Sequence, residues 1–146
     1  MPIRLENRFF YPINWRELSN VIRFGRAKGC CEQCGRPHGQ LVAHLGDGHW
    51  WDMRANTWRG GKGHKLKLAA LECLPADTPV QLTRVYLACA HLDHEPSNND
   101  PANLRALCQR CHILHDRDEH RRQRWFTYRR RKAVGDLFLR PYPFRF

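Results

Sequence analysis

Residues 83–112 read TRVYLACAHLDHEPSNNDPANLRALCQRCH, and the fold turns on how this stretch is parsed. Thr83 to His91 is β-branched and apolar, which predicts a central strand running directly into Asp93-His94. Glu95 to Pro101 is turn-forming throughout, with Pro96, Ser97, Asn98, Asn99, Asp100 and Pro101 in succession. From Asn103 onward Leu104, Leu107, Cys108, Cys111 and Leu114 recur at threes and fours, the spacing of a helix. That helix either breaks near Asp116 or continues through Arg124 to Val134, with Gly135 ending it.

Upstream, Trp15, Leu18, Val21, Ile22 and Phe24 give a helix-like period over residues 15–29. Asn14 stands as its N-cap, Glu17 at the capping-box position, and Gly29 closes it. Met1 to Asn14 reads as an extended arm. Leu41 to Thr57 suggests a hairpin, and Arg59 to Lys67 a loose Gly/Lys-rich loop. Ala69 to Leu74 is expected to form a short helix, Pro75 to Pro79 a loop, and the aromatic tail from Asp136 to Phe146 to pack back on the core. The expectation is one α+β domain over residues 1–146 with helices at both ends, a length near the common domain size. Hydrophobic residues at 42% and charged ones at 27% argue against a disordered or fibrous chain. No apolar run nears the ~20 residues of a membrane span, and the N-terminus lacks the pattern of an export signal. A cytoplasmic protein without a membrane partner is expected.

Seven cysteines without an export signal make a poor disulfide framework, so metal binding is the better reading. Cys31-x2-Cys34 and Cys108-x2-Cys111 are matched knuckles, each supplying two thiolates to a tetrahedral Zn2+. Such a structural site would tie the N-terminal helix to the C-terminal one. Cys30 is an ambiguous neighbour, and Cys73 and Cys89 read as small buried apolar residues.

Asp93-His94, Asn103 and His112 directly behind the second knuckle form a second constellation. With the cysteine pairs, this string resembles the HNH endonuclease family, over Val85 to His112 and the Cys31/Cys34 knuckle; the 41–82 insertion is poorly covered. The resemblance implies a ββα-metal (His-Me finger) core over residues 85–116. It implies Asp93 and His112 as ligands of a catalytic divalent ion, His94 as the general base and Asn103 as the brace of the loop that orients that base. It implies metal-assisted hydrolysis of DNA to 5′-phosphate and 3′-hydroxyl ends. The chemistry suits these residue types. An imidazole titrating near ~6.5 takes a water proton at neutral pH, and a divalent ion stabilises the phosphate and its leaving oxygen. Asp116, one helical turn after His112, is a further ligand candidate, and His115 a weaker one. His91 reads equally as a supporting residue or an ordinary strand histidine. Mg2+ or Mn2+ suits this donor set best, with Ni2+ or Zn2+ admitted.

A formal charge of +11 calls for a polyanionic partner. Arg121, Arg122, Arg124, Arg129, Arg130, Arg131 and Lys132 fall within one stretch that holds no acidic residue, interleaved with Trp125, Phe126 and Tyr128. As a helix it would set Arg122, Trp125, Arg129 and Lys132 on one side, a shape that tracks a phosphate backbone. The competing reading is a solvated helix with its aromatics turned inward. Arg54, Arg59, Lys62, Lys65 and Lys67 make a second basic patch, and nothing spells a base-reading code. Two rivals stand beside the DNA nuclease: a non-catalytic zinc module that binds nucleic acid, and an RNA-cleaving enzyme with the same site. A monomer and a homodimer both remain open.

Overall fold

The computed structural model describes residues 5–67 and 79–132. The first four residues, Cys73, the expected helix at 69–74 and the aromatic tail lie outside the described residues. Within them the chain is a mixed α/β structure of antiparallel sheets and three α-helices.

The chain enters through a 3-10 turn, Leu5–Phe10, where an extended arm was expected. Helix α1 then covers Trp15–Asn20 and passes into a π-helical turn, Val21–Arg26. The anticipated side-chain cap is absent. Asn14 sits at φ −89° and ψ 20°, so its carbonyl, rather than its side chain, accepts the Glu17 and Leu18 amides. In the widened turn the Ala27 N–H donates to the Ile22 carbonyl, while the Arg23 side chain occupies the Ser19 carbonyl four residues back.

Strands β1 (Leu41–His44), β2 (Trp50–Asp52), β3 (Thr57–Arg59) and β4 (Gln81–Arg84) form a sheet in the order β3-β2-β1-β4, with Trp50 and Val42 buried. The expected hairpin is thus a three-stranded meander. The basic loop after it is pinned rather than loose, since Gly60 donates to His64 and Leu66 to Trp58.

The decisive stretch departs from its reading in two places. The run Thr83 to His91 is two strands, broken at Val85-Tyr86: β4 joins the first sheet, and β5 (Leu87–His91) pairs with β6 (Leu104–Cys108) in a second. The Gln109 side chain holds the break open, accepting from the Tyr86 amide and donating to the Arg84 carbonyl. The second correction is β6 itself, where helix was expected from Asn103. Leu104, Ala106, Leu107 and Cys108 are all buried because the π-helical turn and the following helix both pack on this hairpin. A strand covered on both faces loses its alternation, and its apolar residues then imitate a helical period. Helix α2 begins only at Gln109 and ends at His115; helix α3, Arg117–Lys132, follows after a break at Asp116.

Glu32, in the first knuckle, joins three parts of this core. Arg26 donates to both of its carboxylate oxygens (2.9 and 3.0 Å), and one of them also accepts the Ala106 amide of β6 at 2.6 Å. Glu32 returns the pairing through its own N–H to the Ala106 carbonyl. Glu32→Ala would strand that amide and Arg26 together. We expect a loss of about 1–2 kcal/mol, discounted for the partial exposure of the ion pair, read as a lower urea midpoint at unchanged m-value.

Candidate functional site

The two knuckles meet at the seam between β6 and the first loop. Cys31, Cys34, Cys108 and Cys111 are all buried, and their sulfurs lie within 4.8 Å of one another. Cys34 and Cys108, 74 positions apart, bring theirs to 3.6 Å. Four sulfurs on a tetrahedral ion at ~2.3 Å would stand about 3.8 Å apart, so this donor set fits a zinc ion. Gly35 makes the first knuckle possible. It turns at φ +79°, where other residues are strained, while its N–H donates to the Cys31 carbonyl. The thiols divide as four crowded donors must. Hydrogen bonding to Cys108 pulls Cys31 down, and hydrogen bonding from Cys111 holds Cys108 at about 7. The same contacts push Cys34 and Cys111 up, each chiefly through Cys108. Cys30 is half-buried outside the cluster, and burial pushes the equally apart Cys89 up to about 11.

The second constellation gathers where the β5–β6 loop faces the end of α2. His94, leaving β5 at a left-handed φ of +61°, turns its ring onto His115, with centroids 4.5 Å apart. An imidazole-bearing residue at positive φ is uncommon and is held there by its surroundings. Asp116, at the break after α2, lies between two histidines: its carboxylate is 3.4 Å from His94 Nδ1 and 3.1 Å from His112 Nε2. Donors sharing one divalent ion at ~2.1 Å would sit about 3 Å apart or a little more, so these contacts leave room for such an ion beside the Asp116 carboxylate. Burial holds the His112 ring below the usual histidine range, against the pull of Asp116, so it is neutral with a free lone pair at neutral pH.

Asp93 and Asn103 do something different. Asp93 Oδ1 accepts from the Glu95 amide (2.9 Å) and from Asn103 Nδ2 (2.8 Å), Oδ2 accepts from Asn98 Nδ2 (2.6 Å), and the Asp93 amide donates to Asn103 Oδ1 (3.2 Å). The pair clamps the loop at both ends, and Asp93 is not among the donors that converge with His94, His115 and Asp116. The Glu95 amide, then Asn103 and Asn98, hold the Asp93 carboxyl down at about 2. A depressed carboxyl stabilises the folded loop fully above its ordinary value of ~3.9 and loses that contribution as pH falls through about 2. An NMR titration of the Asn103 side-chain amide should therefore show its midpoint near 2, and Asn103→Ala should move the Asp93 midpoint up toward ~3.9.

His115 and His91 carried weak signals in the sequence. His115 Nε2 lies 3.2 Å from the His91 carbonyl, leaving Nδ1 to the cluster, the arrangement in which a ligating imidazole is oriented from behind. His91 in turn stacks flat on Trp15 (5.4 Å, 7°), meets Tyr11 edge-on and pairs with Asn99 at 3.1 Å. The available signal was the run His112-x2-His115-Asp116, in which His112 and Asp116 stand one helical turn apart, while the meeting with His94 depends on the β5–β6 loop.

Residues 121–130 of α3, including Arg121, Arg122, Arg124, Arg129 and Arg130, are all exposed. Arg129 lies over Trp125 at 4.7 Å and Arg122 over Phe126 at 5.7 Å, so these aromatics pair with arginines on the surface. Lys132 closes the helix. Among the described residues no helix is long and apolar enough to cross a membrane. Scans against protein-family models, curated proteins and solved structures find no match to this chain.

Proposed function

We propose that the protein is a metal-dependent DNA endonuclease of the HNH type. The observation carrying this reading is the convergence of His94, His115 and Asp116, with His112 paired to the same Asp116 carboxylate, at the foot of a β5-loop-β6-helix unit whose far end is anchored by four cysteines. A binding module has no use for two histidines and a carboxylate converging at one surface point, with a third histidine on that carboxylate's other oxygen. The donors that face one another favour Asp116 and His112 as the holders of the divalent ion, Mg2+ or Mn2+ best. The role that the resemblance gives Asp93 as a ligand passes in part to clamping the loop. When bound, the ion supplies positive charge for the phosphate and its leaving oxygen. The protein supplies the rest. His94, half-exposed on a braced loop, accepts the proton of the attacking water, and Asn103 fixes the loop that aims it. The four cysteines hold zinc and contribute structure without chemistry. DNA is the partner best suited to the exposed arginines of α3.

Incubation with supercoiled plasmid and Mn2+ or Mg2+ should nick or linearise it, EDTA should abolish the reaction, and the ends should carry 5′-phosphate. Intact plasmid across all divalent ions tried, with full zinc content, would return the chain to the class of binding modules. Parallel digestion of RNA separates the two substrates.

A further inference from the structure

We propose that the cavity beside His115, between α2, β6 and the Gly61-Lys62 turn, is an anion subsite that takes one backbone phosphate of a DNA strand lying across the site. The DNA in this statement rests on the nuclease reading; the anion does not. The cavity measures about 340 Å3, and three cations from separate elements, Lys62, Arg105 and Arg110, line it with no acidic residue among them. His115 forms one wall, so a phosphate held there lies next to the histidine–carboxylate cluster.

Arg110 is the built element of this subsite. Its guanidinium passes between two glycines: a Cβ on Gly48 would stand 2.4 Å from Nη2, and one on Gly61 3.2 Å from Nη1. The partner that fixes it is a backbone carbonyl, that of Asp47 at 3.1 Å, which orients the group without neutralising it. The Asp47 carboxylate is turned away onto His49, 2.6 Å from Nδ1. The next carbonyl of the same turn, Gly48, is taken by Arg36, a guanidinium 7% exposed whose Nε has no hydrogen-bond partner. Two guanidiniums on successive carbonyls, without a carboxylate on either among the described residues, leave positive charge for an outside anion to balance. His44 feels that field: burial first, then Arg36 and Arg110, holds its ring below the usual range. An arginine fork held rigidly in this way suits a phosphate better than a mobile lysine alone.

The test uses the full zinc-loaded chain carrying His94→Ala, so that nothing is cut, and a fluorescent duplex of defined length. Affinity is measured against salt for Lys62→Gln, Arg105→Gln, Arg110→Gln and the triple variant, with the triple Arg8→Gln, Arg16→Gln, Lys28→Gln as an equal-charge control outside the cavity. Neutralising one phosphate contributes a slope of about 0.9 in log Kd against log salt. The triple variant is therefore expected to lose about 0.9 of slope and no more, with Kd raised roughly tenfold, the size of one charge-assisted contact. Should Arg110→Gln disturb folding, the double variant of the exposed Lys62 and Arg105 reads the same slope. A slope and Kd for the triple variant no different from those of the triple control overturn the subsite. Cleavage by the otherwise wild-type chain reports separately on the nuclease. A protein that binds through the cavity and cuts nothing keeps the subsite and loses the enzyme. One that cuts with the KM of the triple variant unchanged keeps the enzyme and loses the subsite.

Discussion

Cys108→Ser, or removal of zinc by a strong chelator, is expected to unfold the protein rather than merely weaken it. Four buried sulfurs sit within 4.8 Å of one another, joining a loop after the π-helical turn to the β6–α2 junction 74 positions later. Binding of a structural zinc contributes on the order of 10–16 kcal/mol, as much as or more than the whole stability of a domain this size. Around the cluster there is little to replace it. Among the described residues nine buried apolar residues lie beyond the four cysteines, several of them small or middle-sized, and Ala106 is itself held by Glu32 of the knuckle. Without the ion the four sulfurs lose their shared positive centre, and the first knuckle is left to ties such as the Cys108 amide, which donates to Cys31 Sγ at 3.3 Å. Far-ultraviolet circular dichroism and metal content should fall together for each of Cys31, Cys34, Cys108 and Cys111 replaced by serine. Cys30→Ser and Cys89→Ser should keep one zinc per chain and a cooperative melt. Loss of zinc without loss of the fold would show that the hydrophobic contacts suffice alone.

His94→Ala should lower the cleavage rate by roughly 10²- to 10⁴-fold, the range a positioned general base contributes. Zinc content, melting temperature and DNA affinity should stay as they are. The expectation follows from placement: among the described residues His94 is exposed on the β5–β6 loop, lies outside the buried core, and meets His115 and Asp116. Asp116→Asn should behave otherwise. It removes the carboxylate between two histidines, so its defect should shrink as Mn2+ is raised, whereas that of His94→Ala should not. Wild-type rates in His94→Ala would leave the proton to another group.

Much of the metal chemistry was legible because it is local. A C-x2-C turn presents two sulfurs in any context that lets Gly35 reach positive φ, and two such turns have few uses apart from a shared ion. The Asp93/Asn103 clamp is also short in range, ten residues apart across a loop of turn formers, yet Asp93 reads in the sequence as a ligand of the catalytic ion and only Asn103 as a brace of the loop. Misreading set in where tertiary packing overrode local pattern. Leu104 to Cys108 has the spacing of a helix yet pairs as a strand with Leu87–His91, because hydrogen bonding to that partner and cover on both faces satisfy the backbone and the side chains together.

The amino-acid sequence by itself determined which atoms are available: four thiols in two turns, a histidine-rich loop and helix end, and an excess of arginine. Which of them meet was decided only by the tertiary structure. Asp116 meets His112 as its neighbour one helical turn on, but it meets His94 only because the β5–β6 loop folds onto the end of α2, and His115 is oriented by a carbonyl 24 positions away. Arg110 finds room between Gly48 and Gly61, two glycines of the meander and its following turn that no spacing rule connects to it. Ligand type is written residue by residue, but convergence depends on where elements end and pack, and those ends are set by long-range burial and hydrogen bonding.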